Sequence, residues 1–188
     1  RITFTTGIAE TREQALNMVQ SLSSSHLVER TFNLAWTRSR IVLRFLNLTA
    51  QQADIYQWMV SRIFYFNPLE ASRAQSILQN CKGQSELWKY GISGDIPIVI
   101  IHISKLENLD FVKSVLLAHE YWRVKGLKVD LIIFNDFIGS YEQPLSEALR
   151  YLVLASSDRD LLDRSGGVFI ISSNIMPVED KILFKTVA

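Results

Sequence analysis

The sequence predicts an α/β fold: an N-terminal helical linker region with one short strand, then a small parallel-sheet α/β domain of about three strands flanked by helices. Three observations predict it. No glycine falls between Gly7 and Gly83, and apolar residues recur in that stretch at three- and four-residue steps. Further on, residues 98–103, 129–134 and 168–171 are short continuous runs of β-branched and bulky side chains, the pattern of buried strands. Helical patterns separate these runs, and strands alternating with helices imply parallel pairing through right-handed crossovers. The expected division is 1–85, strand plus helical linker, and 86–188, small α/β domain, with 81–90 as the natural boundary.

Residues 2–6 alternate and are β-branched, a short strand closed by Gly7 without an obvious hairpin partner. Thr11-x-x-Gln14 is a capping-box pattern that opens a helix through about Leu22, and the serines at 23–25 break and recap the chain. Phe32, Ala35, Trp36, Ser39, Leu43 and Leu46 then mark a long amphipathic helix. Its Arg38, Arg40 and Arg44 read as a solvated stripe with Trp36 in the core. The functional alternative is a basic and aromatic grip on a phosphate or sugar. Thr49-x-x-Gln52 opens another helix, with Ile55, Trp58, Met59, Ile63 and Phe66 on one face, and Asn67-Pro68 stops it. A shorter helix follows through about Asn80.

The stretch from Leu87 to Ile101 passes from aromatic and basic residues through Gly91 and Gly94 into a β-branched run. It predicts a tight loop that delivers the backbone into a buried strand, with Asp95 holding the loop by side-chain hydrogen bonds. A helix over about 109–125 ends at Gly126, in the position that favours a left-handed residue. Another spans about 143–155, a charged segment leads to Gly166-Gly167, and Met176-Pro177-Val178-Glu179 starts the last helix with proline and acid in its first turn.

Composition excludes several classes. With 188 residues and 48% hydrophobic content, the chain can bury a core and does not resemble a disordered tail. A formal net charge of +1 supplies no long-range attraction to nucleic acid or anionic membrane, so no nucleic-acid partner and no direct membrane insertion are expected. The apolar runs are far shorter than the ~20 residues that cross a bilayer. Cys81 is the single cysteine, a quiet thiol rather than a disulfide or metal ligand. The chain opens without methionine and ends in what reads as an unfinished helix, so it is expected to be a piece of something longer.

No motif carries catalysis. Gly91-x-x-Gly94 precedes a strand, whereas a nucleotide loop follows one and opens a helix. His119-Glu120-Tyr121-Trp122-Arg123 has an arginine where a zinc-protease helix needs its second histidine, so His119 and Trp122 are expected to pack or hydrogen-bond, with Glu120 and Arg123 a surface pair. No nucleophile elbow is present, and no cofactor or metal is expected. Ligands of open parallel sheets gather at the carboxyl ends of the strands. There the sequence places His102 and Ser104, then Asn135 and Asp136, then Ser172, Ser173 and Asn174. Capping of the following helices is the favoured reading, and a ligand-binding cluster of His102, Ser104, Asn135, Asp136, Ser173 and Asn174 is the functional alternative.

Segments 3–15, Ala35-Trp36-Thr37, Leu87 through Ile101, Ala118 through Leu127 and Gly166-Gly167-Val168-Phe169 together resemble the cyclic β-1,2-glucan synthases. Their carboxyl-terminal part is related to cellobiose phosphorylase-type enzymes of glycoside hydrolase family 94. The resemblance implies a parent that transfers glucose from UDP-glucose, anchored in the inner membrane, with cytoplasmic β-sandwich and helical-barrel domains as neighbours of this piece. Residues 2–6 would close such a sandwich, and 91–188 would be an α/β insertion. The family's catalytic residues belong to the barrel, and no segment here matches them. The expected role is a non-catalytic connector or accessory module that would position the sandwich and barrel and could hold β-1,2-glucan during chain-length control. The alternatives are a glucan or nucleotide-sugar binding domain using the strand-end cluster, and a structural or oligomerising spacer.

Overall fold

The helical part begins at a local cap: Gln14 N donates to Thr11 Oγ1 (3.3 Å), and α1 runs over Arg12–Leu22. After a break, α2 spans Ser25–Phe45. The computed structural model describes residues 4, 6–22, 24–65, 71–137 and 144–188, without the side chains of 71–73. The strand expected over 2–6 lies mostly outside the described residues. Residues 1–49 form one compact unit and 50–188 a second.

Within the first unit neither helix has a buried residue along its length. Trp36, expected in a core, is 62% exposed, and the Arg40 guanidinium lies 4.7 Å from its ring centroid. Among its described residues this unit has two helices and no third layer to enclose an indole. The arginine one turn on covers the ring face instead.

The second unit opens with α3 (Ala50–Phe64) and α4 (Ala71–Gln79). A 3₁₀ turn over Gln84–Tyr90 leads into the sheet entry, where Gly91 (φ +77°) and Gly94 (φ +74°) take left-handed conformations that a side chain would strain. Gln84 Nε2 donates to Ser93 O (2.8 Å) and to Asp95 Oδ1 (3.0 Å), so Asp95 fastens the loop as expected. The sheet is built from β1 (Ile98–Ile103), β2 (Asp130–Asn135) and β3 (Val168–Ser172), all parallel, in the order β1-β2-β3. Helix α5 (Leu109–Val124) connects the first pair, α6 (Pro144–Ala155) the second, and α7 (Val178–Val187) follows β3. Gly126 (φ +90°) ends α5 by donating to Arg123 O (2.9 Å), while Leu127 N donates to Trp122 O (2.9 Å).

Alternation along the strands sorts two cores. Ile103, Leu131, Ile133 and Val168 face α5 and α6 through Val112, Val115, Leu145 and Leu149. Ile98, Ile132, Phe134 and Phe169 face the entry loop and α7 through Leu87, Ile92, Leu183 and Phe184. Both faces are covered, as a parallel sheet requires. The strand over 98–103, expected to be buried, is an edge strand: β2 is buried throughout, whereas only Ile98 and Ile103 of β1 are. An all-apolar run satisfies two packed faces and says nothing about whether a neighbour closes the edge.

Helices α3 and α4 belong to this unit. Trp122 Nε1 donates to Tyr56 O (2.9 Å), Gln57 Nε2 to the Tyr121 hydroxyl (2.8 Å), and α4 packs on α7. The compositional boundary at residue 85 therefore falls inside a compact body.

Candidate functional site at the strand ends

The backbone ladder continues one step past the strands: Asp136 N donates to Ile103 O (2.8 Å) and Ser173 N to Asn135 O (3.1 Å). That register brings the polar ends of all three strands to one edge. His102 Nδ1 lies 2.8 Å from one Asp136 carboxylate oxygen, and Ser173 Oγ donates to the other. The His102 ring is tilted against Phe134 with centroids 5.1 Å apart. Asn135 Oδ1 accepts from Phe137 N (3.0 Å), and Asn174 Nδ2 donates to Phe137 O (2.6 Å). Ser104 is exposed and makes no hydrogen bond among the described residues.

The order of these groups limits their chemistry. Activating a serine needs an imidazole between hydroxyl and acid. Here the carboxylate stands in the middle, so the Ser173 proton is directed at Asp136 rather than at His102. What is left is an oriented imidazole, 54% exposed, with Nε2 unbonded among the described residues. It can accept or donate one hydrogen bond to a ligand.

Stronger electrostatics lie elsewhere. Asp180 on α7 is withdrawn from solvent and takes Lys82 Nζ (2.6 Å), Lys89 Nζ (2.8 Å) and the Tyr90 hydroxyl (2.6 Å). Burial alone would raise its carboxyl, but the three hydrogen bonds outweigh it and hold the group well below the usual carboxylate range. Burial and the bond to Asp180 push Tyr90 up to about 12. Asp130 accepts from Gly166 N (2.7 Å) on one oxygen while the other is buried without a partner among the described residues, and burial raises this carboxyl.

The expected Glu120–Arg123 surface pair is replaced by a longer-range one. Arg123 Nη2 stands 2.9 Å from a buried Asp158 oxygen, and His119 Nδ1 is 2.9 Å from the other. Packing α5 against the 156–161 turn offers Arg123 a desolvated carboxylate, a stronger partner than a solvated glutamate. His119 itself hydrogen-bonds between helix and sheet, as the sequence suggested, through Nε2 and Val129 O (2.9 Å).

A cleft of about 770 Å³ runs along the outer side of β1, lined by Trp58, Arg62, Pro97, Ile100, Trp122 and Val187 among others. The sequence reading missed it because periodicity does not reveal strand order. Among the described residues, no group of three or more His, Cys, Asp or Glu side chains could hold a metal ion, and no helix is long and apolar enough to cross a membrane.

The second unit is thus a three-stranded parallel α/β module with a polar cluster at the carboxyl ends of its strands. No protein-family model matches the chain. It is related to the cyclic beta-(1,2)-glucan synthase NdvB of Rhizobium meliloti (strain 1021), to which it is 32% identical over 115 residues. That match covers 61% of this chain and 4% of the synthase.

Proposed function

We propose that the chain is a non-catalytic connector or accessory module of a cyclic β-1,2-glucan synthase-like protein. It would position neighbouring β-sandwich and helical-barrel domains at the cytoplasmic side of a membrane-anchored parent that uses UDP-glucose. The observation that carries this reading is how the strand-end groups use their hydrogen bonds. Asp136 is taken by His102 and Ser173, while Asn135 and Asn174 hold Phe137. These bonds stabilise loops rather than present a reacting group. Incubation of the chain with UDP-glucose, and separately with β-1,2-glucan and phosphate, is expected to yield no glycosyl transfer and no sugar phosphate. Product from either mixture overturns the reading.

The open His102 Nε2 favours one second reading, a site that holds glucan or a nucleotide sugar at the strand ends. Calorimetric titration with β-1,2-glucooligosaccharides and with UDP-glucose tests it. Saturable binding that is lost in both Asp136→Ala and Asn174→Ala supports the site, and binding that survives both removes it.

A further inference from the structure

Parallel pairing sends the N–H and C=O of one residue to the same side of its strand, alternating along the chain. Pro97 O accepts from Asp130 N (2.9 Å) and Ile103 O from Asp136 N (2.8 Å), which fixes the odd-numbered residues of this stretch toward β2. The backbone groups of Ile98, Ile100 and His102 therefore point the other way, and none of them is hydrogen-bonded among the described residues. The strand itself carries no charged side chain to guard this edge. No lysine, aspartate or glutamate occurs from Ile98 to Ile103, and Pro97 stands only at its start. The edge is also recessed rather than presented on a bare surface. Trp58, Met59 and Ile63 of α3 line one side of the cleft, and Val187 and Ala188 at the end of α7 line another.

We propose that the cleft is a strand-acceptor site, in which an extended polypeptide with apolar side chains at alternate positions and one acidic side chain pairs with β1. The backbone row identifies the occupant as polypeptide: donors and acceptors repeating every second residue complement another extended chain. The apolar walls select alternate apolar side chains. Arg62 selects the acid, because its guanidinium lies 4.9 Å from the Trp58 ring centroid and forms no ion pair among the described residues. A second copy of this chain is the poorer occupant. Its own edge carries no aspartate or glutamate from Ile98 to Ile103 to meet Arg62.

The probe is a short synthetic peptide alternating valine with threonine and carrying one glutamate, labelled for fluorescence anisotropy. Its partner is the same peptide N-methylated at alternate amides, which keeps the side chains and removes the donors. Saturable binding of the first is expected, with at least a tenfold loss for the methylated form. Hydrogen exchange should slow at the amides of Ile98, Ile100 and His102 when peptide is added. Ile100→Pro removes an outward donor at an edge position that tolerates proline, and Arg62→Glu removes the charge match without touching the strand. Each should weaken the peptide at least tenfold. Equal affinity for the methylated peptide, absence of binding, or amides at 98, 100 and 102 already protected in the free chain would overturn the proposal, as would their protection on self-association.

Discussion

His119 and Asp158, 39 positions apart, form a buried pair: the imidazole Nδ1 stands 2.9 Å from the carboxylate and both side chains are almost fully withdrawn from solvent. The Val129 carbonyl can only accept, so the other ring nitrogen carries a hydrogen and His119 bridges helix α5 to the chain entering β2. Replacing His119 with alanine leaves the carboxylate buried with only Arg123 opposite it. Arg123 still compensates the charge, so the variant should lose about 2–3 kcal/mol of stability, the worth of a buried hydrogen bond to a charged group. Urea denaturation checks this, and a loss under about 1 kcal/mol would show that the pair does not hold the helix.

Asp180 makes stability depend on pH at the acid end. Its folded carboxyl lies below its ordinary 3.8, so its contribution is full above that value and declines as pH falls through the folded one. Tyr90 acts at the alkaline end. Its phenol is raised from 10.0 to about 12, so its contribution is full below pH 10 and is lost as pH rises toward 12. The denaturation midpoint should therefore drop below about pH 4 and again above about pH 10. Asp180→Asn should flatten the acid slope and Tyr90→Phe the alkaline one.

Two glycines should respond in an order opposite to their backbone strain. Gly91 has φ +77°, but a Cβ there would meet nothing closer than Phe169 Cε1 at 3.7 Å. Gly91→Ala should cost about 1–2 kcal/mol, the left-handed penalty alone. A Cβ on Gly167 would lie 1.9 Å from Leu161 O, a backbone atom that cannot turn aside. Gly167→Ala must displace the turn that pairs Leu162 with Val168 and should cost about 3 kcal/mol or more. Denaturant midpoints of the two variants decide the order.

Local signals carried most of the fold. Thr11, Gly91, Gly126 and the apolar runs marked where elements start, stop and turn, because caps, left-handed residues and alternation act over a few positions. The strand-end cluster was legible for the same reason: a polar residue just past a parallel strand has one edge to occupy. Ser104 alone stayed outside the hydrogen-bonded group, since its bond to a neighbour depends on loop geometry that spacing does not set. The long-range ties were not legible. Asp180 meets Lys82 from 98 positions away, and nothing in either neighbourhood names the other. The cleft beside β1 depended on strand order, and Trp36 on how many layers its own unit supplies among the described residues.

Trp122 tests whether α3 is part of the α/β body or a linker laid beside it. Its indole N–H donates to Tyr56 O (2.9 Å) from a fully buried ring, and Gln57 adds a bond to Tyr121 one residue earlier on α5. Trp122→Phe keeps most of the packing and leaves the Tyr56 carbonyl without that donor, at a cost of about 1 kcal/mol. The loss should be local. Hydrogen exchange should quicken along α3 in the variant while amides of β2, buried on both faces, stay protected. If α3 exchanges as fast in the unsubstituted chain as in the variant, the bond does not fasten it. If β2 loosens equally, Trp122 supports the whole core rather than the junction.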